Sequence, residues 1–105
     1  GQTLTSQQNS ANTIDAIGAV NTASAEGTEQ FGLRMTPAGG SGAVTAPYAD
    51  VGYAFNSGAF PDVVASSNTA SAITTYSVIY LANITANTEA GAYTATMTYT
   101  ATANF

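Results

Sequence analysis

From Tyr93 to Phe105 the chain alternates without a break. Tyr93, Ala95, Met97, Tyr99, Ala101, Ala103 and Phe105 are apolar, and Thr94, Thr96, Thr98, Thr100, Thr102 and Asn104 are polar. A period of two puts the apolar side chains on one face and the hydroxyls on the other. The pattern therefore predicts one long half-buried strand over 93–105, with a β-branched, uncharged outer face able to pair across strands. The preceding run, Ile73 to Ile84, sets Tyr76, Val78, Tyr80, Ala82 and Ile84 against Thr75, Ser77, Ile79, Leu81 and Asn83. Ile79 and Leu81 make its second face partly apolar, which predicts a central strand covered on both sides. Between the two runs, Asn87, Glu89 and Gly91 suit either a turn or a crossing between sheets over Thr85 to Ala92.

Upstream, Phe31, Leu33 and Met35 alternate with Gly32, Arg34 and Thr36, predicting a strand over Gln30 to Thr36 that points Arg34 to solvent and stops at Pro37. Pro37 to Pro47, with Gly39, Gly40 and Gly42, reads as a flexible loop that permits positive φ and breaks any continuous ladder. Val51, Tyr53 and Phe55 predict a short strand closed by Asn56-Ser57-Gly58, and Asp62 to Ala65 predicts another through Val63 and Val64. The first thirty residues are less patterned. Gln2 to Asn12 is polar apart from Leu4, while Ile14, Ile17 and Val20 are spaced for one helical turn capped by Asn12 or Thr13. That segment reads as a loop, a short helix, or an arm ordered against another subunit. The division expected is an irregular N-terminal arm over 1–27 and a β domain over 28–105, with no internal repeat of solenoid length.

Composition narrows the chemistry. A chain of 105 residues accommodates one small core. It is 45% hydrophobic but only 7% charged, and its Thr, Ser, Asn, Gly and Ala favour strands and turns over surface helices. Arg34 is the sole cation against six carboxylates, for a net charge of -5. Nucleic acid and anionic membrane surfaces both require clustered Lys and Arg, so neither is an expected partner. No apolar window approaches the about 20 residues of a membrane helix, and the chain reads as a mature form after export. Without Lys, any assembly must forgo Lys-Asn isopeptide cross-links and be non-covalent.

Candidate sites are correspondingly few. Cys and His are both absent, which removes thiol chemistry, disulfides, imidazole bases and the usual zinc or haem ligands. The hydroxyls of Ser and Thr have no His or Lys to activate them, so no catalytic residue is assigned and an enzyme is not expected. Asp15, Glu26, Glu29, Asp50, Asp62 and Glu89 form no calcium-loop motif, and none of them is selected as a glycosidase pair. No metal and no cofactor is expected. Tyr48, Tyr53, Tyr76, Tyr80, Tyr93 and Tyr99 offer material for a sugar-binding platform, but Tyr76, Tyr80, Tyr93 and Tyr99 fall on predicted buried faces and read as core. Asn83-Ile84-Thr85 matches a glycosylation acceptor and, as a frequent chance match, carries no weight. A final strand ending in an aromatic residue occurs in outer-membrane barrels as well as pilus subunits. A minimal barrel takes about eight strands of about ten residues, and the pattern predicts only four or five with a long Gly-rich loop, so the barrel is the weaker reading.

Several stretches resemble the C-terminal portions of secreted surface proteins of candidate-phylum bacteria. They run from Thr28-Glu29-Gln30-Phe31-Gly32-Leu33-Arg34 through Gly39-Gly40-Ser41-Gly42 to the Phe55 region, and resume in Thr74-Thr75-Tyr76-Ser77-Val78-Ile79-Tyr80-Leu81-Ala82-Asn83-Ile84. They end in Glu89-Ala90-Gly91-Ala92-Tyr93-Thr94-Ala95-Thr96-Met97-Thr98-Tyr99 and Phe105. The resemblance implies an exported, low-charge β-sandwich with no enzymatic residues. More distantly, Gly91-Ala92-Tyr93 opening a last alternating strand is similar to chaperone-usher pilins and spore-coat-U-like subunits, which are incomplete sandwiches completed by a neighbour's strand. The pilin disulfide pair is missing here.

The expectation is an all-β, antiparallel, immunoglobulin-like sandwich with few strands and hence an edge or groove for a neighbour to cover. The expected function is a structural subunit of an extracellular filament, pilus-like fibre or cell-surface layer, a homopolymer held by β-strand addition from the N-terminal arm. The alternative is an adhesin-type module binding glycan or host protein through the Pro37 to Pro47 loop and Tyr48.

Overall fold

In a computed structural model, residues 3–49, 51–70 and 72–103 are described. The chain is all-β, with antiparallel ladders in three sheets. Strands β1 (Leu4–Ser6), β2 (Thr13–Ile14) and β9 (Tyr93–Thr94) form a three-stranded sheet in the order β2-β1-β9. Strands β3 (Gly18–Thr22), β4 (Gln30–Ala38), β6 (Tyr53–Phe55) and β8 (Thr75–Asn83) form a four-stranded sheet in the order β3-β6-β4-β8. A small ribbon pairs β5 (Ala43–Val44) with β7 (Ala65–Ser66).

The core lies between the two larger sheets. The odd positions of β4, Phe31, Leu33 and Met35, share one face by strand alternation and are buried with Ile14, Tyr48, Ala54 and Phe55. Leu4, Val78, Tyr93, Ala95 and Met97 pack against this cluster half-buried, giving a sandwich-like body with strands from both sheets on one interior. The radius of gyration is 15.3 Å, and the extents are 48 × 23 × 20 Å. A compact chain of this length is expected near about 13 Å, so the body is elongated around a small core.

Several expectations are corrected. The predicted strand over 93–105 enters a ladder only at Tyr93–Thr94, paired with Ser6 and Thr5. The alternation of half-buried Ala95 and Met97 with exposed Thr96 and Thr98 continues beyond it, but residues 95–103 join no ladder among the described residues. Alternation is a local property and ladder length a non-local one, and β1 is only three residues long. Asn104 and Phe105 lie outside the described residues. The Ile73 to Ile84 run is indeed a strand, β8, yet among the described residues it sits at the edge of its sheet and not at the centre, paired with β4.

β4 does not stop at Pro37. It runs through to Ala38, with Pro37 opposite Tyr76. The N–H of Met35 donates to the Tyr48 carbonyl (3.0 Å) and that of Phe31 to the Asp15 carbonyl (2.8 Å), both on the side away from β8. Two residues beyond Met35, the Pro37 nitrogen points the same way, so its missing proton costs the β4-β8 ladder nothing. The Gly39 and Gly40 turn follows, with φ of 76° and 59° that side chains resist.

The N-terminal segment is neither an arm nor a helix. β1 pairs with β2 and β9, and β3 pairs with β6, so the division at residue 27 does not separate two units. Val51 falls outside β6 and is exposed, and the strand expected over Asp62 to Ala65 shifts to Ala65–Ser66. The Thr85 to Ala92 segment proves to be a crossing between sheets, opened by a turn in which the Thr88 N–H donates to the Thr85 carbonyl (3.2 Å).

β3 and β6 meet closely at Gly52. A Cβ there would stand 2.5 Å from the Thr22 carbonyl oxygen and 2.6 Å from Asn21 Oδ1, which accepts the Gly52 N–H. Gly52→Ala should therefore destabilise the protein by about 1 kcal/mol or more. Gly58→Ala, where a Cβ meets nothing within 4 Å, is the control. Equal urea midpoints for the two variants would contradict this packing.

Candidate functional site

The two long strands β4 and β8 run together over nine residues, from Gln30 opposite Asn83 to Ala38 opposite Thr75. Because the odd β4 residues send their N–H groups away from β8, the even ones exchange hydrogen bonds with Thr75, Ser77, Ile79, Leu81 and Asn83. It follows that Tyr76, Val78, Tyr80 and Ala82 direct their backbone N–H and C=O groups off the open edge. Among the described residues no strand pairs with that edge. Unpaired strand edges recruit other strands unless blunted by charge, proline or cover, and β8 contains no charged residue and no proline.

Beside this edge lies a groove of about 550 Å³, with Leu4, Phe31, Tyr80, Leu81, Ala82, Tyr93, Thr94, Ala95 and Met97 along it. It separates β8, the edge of one sheet, from β9 and the segment after it, the edge of the other. The sandwich is thus open along one side, and its interior there is apolar. Tyr80, on the groove and 48% exposed, is hydrogen-bonded through its hydroxyl to that of Tyr99, 50% exposed. Partial desolvation, and then the bond to Tyr80, push the Tyr99 phenol above its ordinary range. Around β8, Ile73, Ile79 and Ile84 are also exposed, a concentration of apolar surface of the kind found at interfaces.

The predicted site residues distribute unevenly. Tyr48, placed by the adhesin reading beside a binding loop, is 1% exposed and is core. Its hydroxyl donates to Asp62 Oδ2 (2.7 Å) and accepts the Asn56 N–H (3.4 Å). Tyr76 and Tyr93 are half-buried as expected, whereas Tyr80 and Tyr99, also expected in the core, are not. Arg34 does not run free into solvent. Its guanidinium stacks over the Tyr53 ring at 4.8 Å and donates to the Val51 carbonyl.

Asp15, Glu29 and Glu89 share a polar cleft of about 200 Å³ with Thr13 and Thr88. Thr88 donates to Glu29 Oε2 (2.9 Å), and Thr13 to Asp15 Oδ1 (3.2 Å). Among the described residues no three acidic groups converge as metal ligands. Glu26 is exposed, and Asp50 lies outside the described residues.

Sequence reasoning missed two polar residues of the same neighbourhood. Gln30 is buried, and its Oε1 accepts both the Ala25 N–H (2.9 Å) and Asn83 Nδ2 (2.9 Å). Asn83 Nδ2 also donates to Ser24 Oγ (2.9 Å), so the amide of the Asn-Ile-Thr motif is engaged in tying β8 to the loop before β4. The signal was present in the register, since two amide side chains opposite one another in neighbouring strands are natural partners.

Among the described residues no helix is long and apolar enough to cross a membrane. Comparison with known proteins found no family model, no curated protein and no solved structure that matches the chain.

Proposed function

We propose that this protein is a structural subunit of an extracellular filament, pilus-like fibre or cell-surface layer, assembled non-covalently by β-strand addition. The observation that carries the reading is the open side of the sandwich, where the unpaired β8 edge borders an apolar groove. A strand inserted there would accept and donate hydrogen bonds along Tyr76, Val78, Tyr80 and Ala82 and cover Phe31 and Leu4. Main-chain bonds supply affinity in this mode, and alternate side-chain pockets supply specificity. The immunoglobulin-like form of the sandwich belongs to the same proposal, as does a location outside the cell. A non-enzymatic role accords with a chain that lacks His, Cys and Lys.

The chain's own β1 is engaged with β2 and β9, so the N-terminal arm is not the free strand the proposal needs. The reading is tested by sedimentation velocity and negative-stain electron microscopy of the purified chain. Concentration-dependent fibres or sheets are expected, and Val78→Pro should reduce them. The Val78 N–H faces off the edge, so proline removes an outward donor and leaves the β4 ladder intact. A chain that stays monomeric at every attainable concentration refutes the proposal.

A further inference from the structure

The segment after β9 carries an apolar face for which its own chain offers little cover. Up to Met97 the alternation does packing work, since Ala95 and Met97 are half-buried and wall the groove. From Thr98 to Ala103 the sequence keeps the same period, with Tyr99, Ala101 and Ala103 on the apolar side, yet every one of these residues is exposed. Beyond the Tyr99 hydroxyl on Tyr80, the stretch makes no hydrogen bond among the described residues. A strand-forming, β-branched run with one apolar face is matched in the same molecule by an edge short of a strand and a groove short of a cover.

We infer that the 98–103 segment of one copy is the strand added to β8 of a second copy. The inference rests on the proposed assembly and names its donor and its acceptor. Three observations select this occupant. Neither the groove nor the segment carries a charge, so insertion buries no ionised group and requires no counter-charge. The periods agree, because the inward side chains of β8, at Tyr76, Val78, Tyr80 and Ala82, lie opposite every second residue of an added strand, and the apolar side of the segment is every second residue. Sizes also complement one another: with Tyr99 opposite Ala82, an antiparallel strand brings Ala101 opposite Tyr80 and Ala103 opposite Val78, each a small side chain beside a larger one. The outward residues of the added strand are then Thr98, Thr100 and Thr102, which remain in water. Donor and acceptor are different surfaces, so the contact is heterologous and propagates as a filament unless two copies exchange reciprocally.

Ala101 and Ala82 are both exposed, so a carboxylate at either is harmless to the isolated chain and becomes buried only in the added ladder. Ala101→Asp disables the donor, Ala82→Asp disables the acceptor, and Thr102→Asp is the control on the wet face. Sedimentation velocity should give a half-assembly concentration raised by about tenfold or more for each of the first two and an unchanged one for the third. Thermal melting of the monomers checks that all three still fold. The decisive measurement mixes Ala101→Asp with Ala82→Asp: one retains a working acceptor and the other a working donor, so the mixture should form one-to-one heterodimers while each alone stays monomeric. Assembly by Ala101→Asp at wild-type concentrations, or a mixture that remains monomeric, overturns the inference. If wild-type chain assembles but neither variant impairs it, the donor assigned here is wrong while the filament reading stands. If wild-type chain never assembles, both fall.

Discussion

Phe55→Ala is expected to cost about 3–5 kcal/mol of folding free energy, the range for truncating a fully buried phenylalanine. Phe55 is 0% exposed, its ring centroid is 4.8 Å from that of Phe31, and Phe60 meets it edge-on at 5.0 Å. It stands on β6, between β3 and β4, so the void opens where the four-stranded sheet meets the core and the neighbouring backbones are held by their ladders. Domains of this size have about 5–15 kcal/mol in total, and the loss takes a large share of it. Urea denaturation followed by tyrosine fluorescence measures the change. A loss below about 1 kcal/mol would mean that the site collapses freely and is not the rigid centre of the fold.

The second large effect is alkaline. Burial, reinforced by the hydrogen bond to Asp62, pushes the Tyr48 phenol up to about 12 from an ordinary 10.0. The folded state thus holds the neutral phenol more tightly than the unfolded state does. Its contribution is fully present below pH 10 and is lost as pH rises from there through 12. A displacement of this size corresponds to about 2–3 kcal/mol. Denaturation midpoints measured between pH 9 and 12 should fall steeply in the wild type. In Tyr48→Phe the fall should be shallower, from a starting point already lowered by about 1 kcal/mol for the lost hydrogen bond. A wild-type profile that is flat across that window would contradict the burial of Tyr48.

Both effects depend on tertiary placement, and they mark where sequence reading succeeds and where it ends. Phe55 was legible: it alternates with Val51 and Tyr53, and a short strand was expected there. Tyr48 was not, because it lies between Pro47 and Ala49 with no periodic neighbour, and only the folded chain brings Asp62 and Asn56 to its hydroxyl. The candidate groove was half legible. Few strands predicted an uncovered edge, but the strand expected to be central, β8, is the one at the edge of its sheet. The segment predicted as one long half-buried strand, 93–105, enters a ladder only at Tyr93–Thr94 among the described residues.

The reason lies in the range of the forces involved. Whether a stretch is extended, and which side chains share its faces, follows from backbone stereochemistry and the order of residues. The runs predicted at 30–36, 51–55 and 73–84 therefore hold strands in the structure, over 30–38, 53–55 and 75–83. The absence of His, Cys and Lys is likewise a matter of sequence alone, and so is the chemistry it removes. Which strand lies beside which, where a ladder ends and which alternating face is covered depend on contacts between residues far apart in the chain. Tyr80 and Tyr99 illustrate this: each occupies the apolar side of its run as the pattern requires, and each stands half-exposed, since among the described residues no strand pairs with the β8 edge beside them.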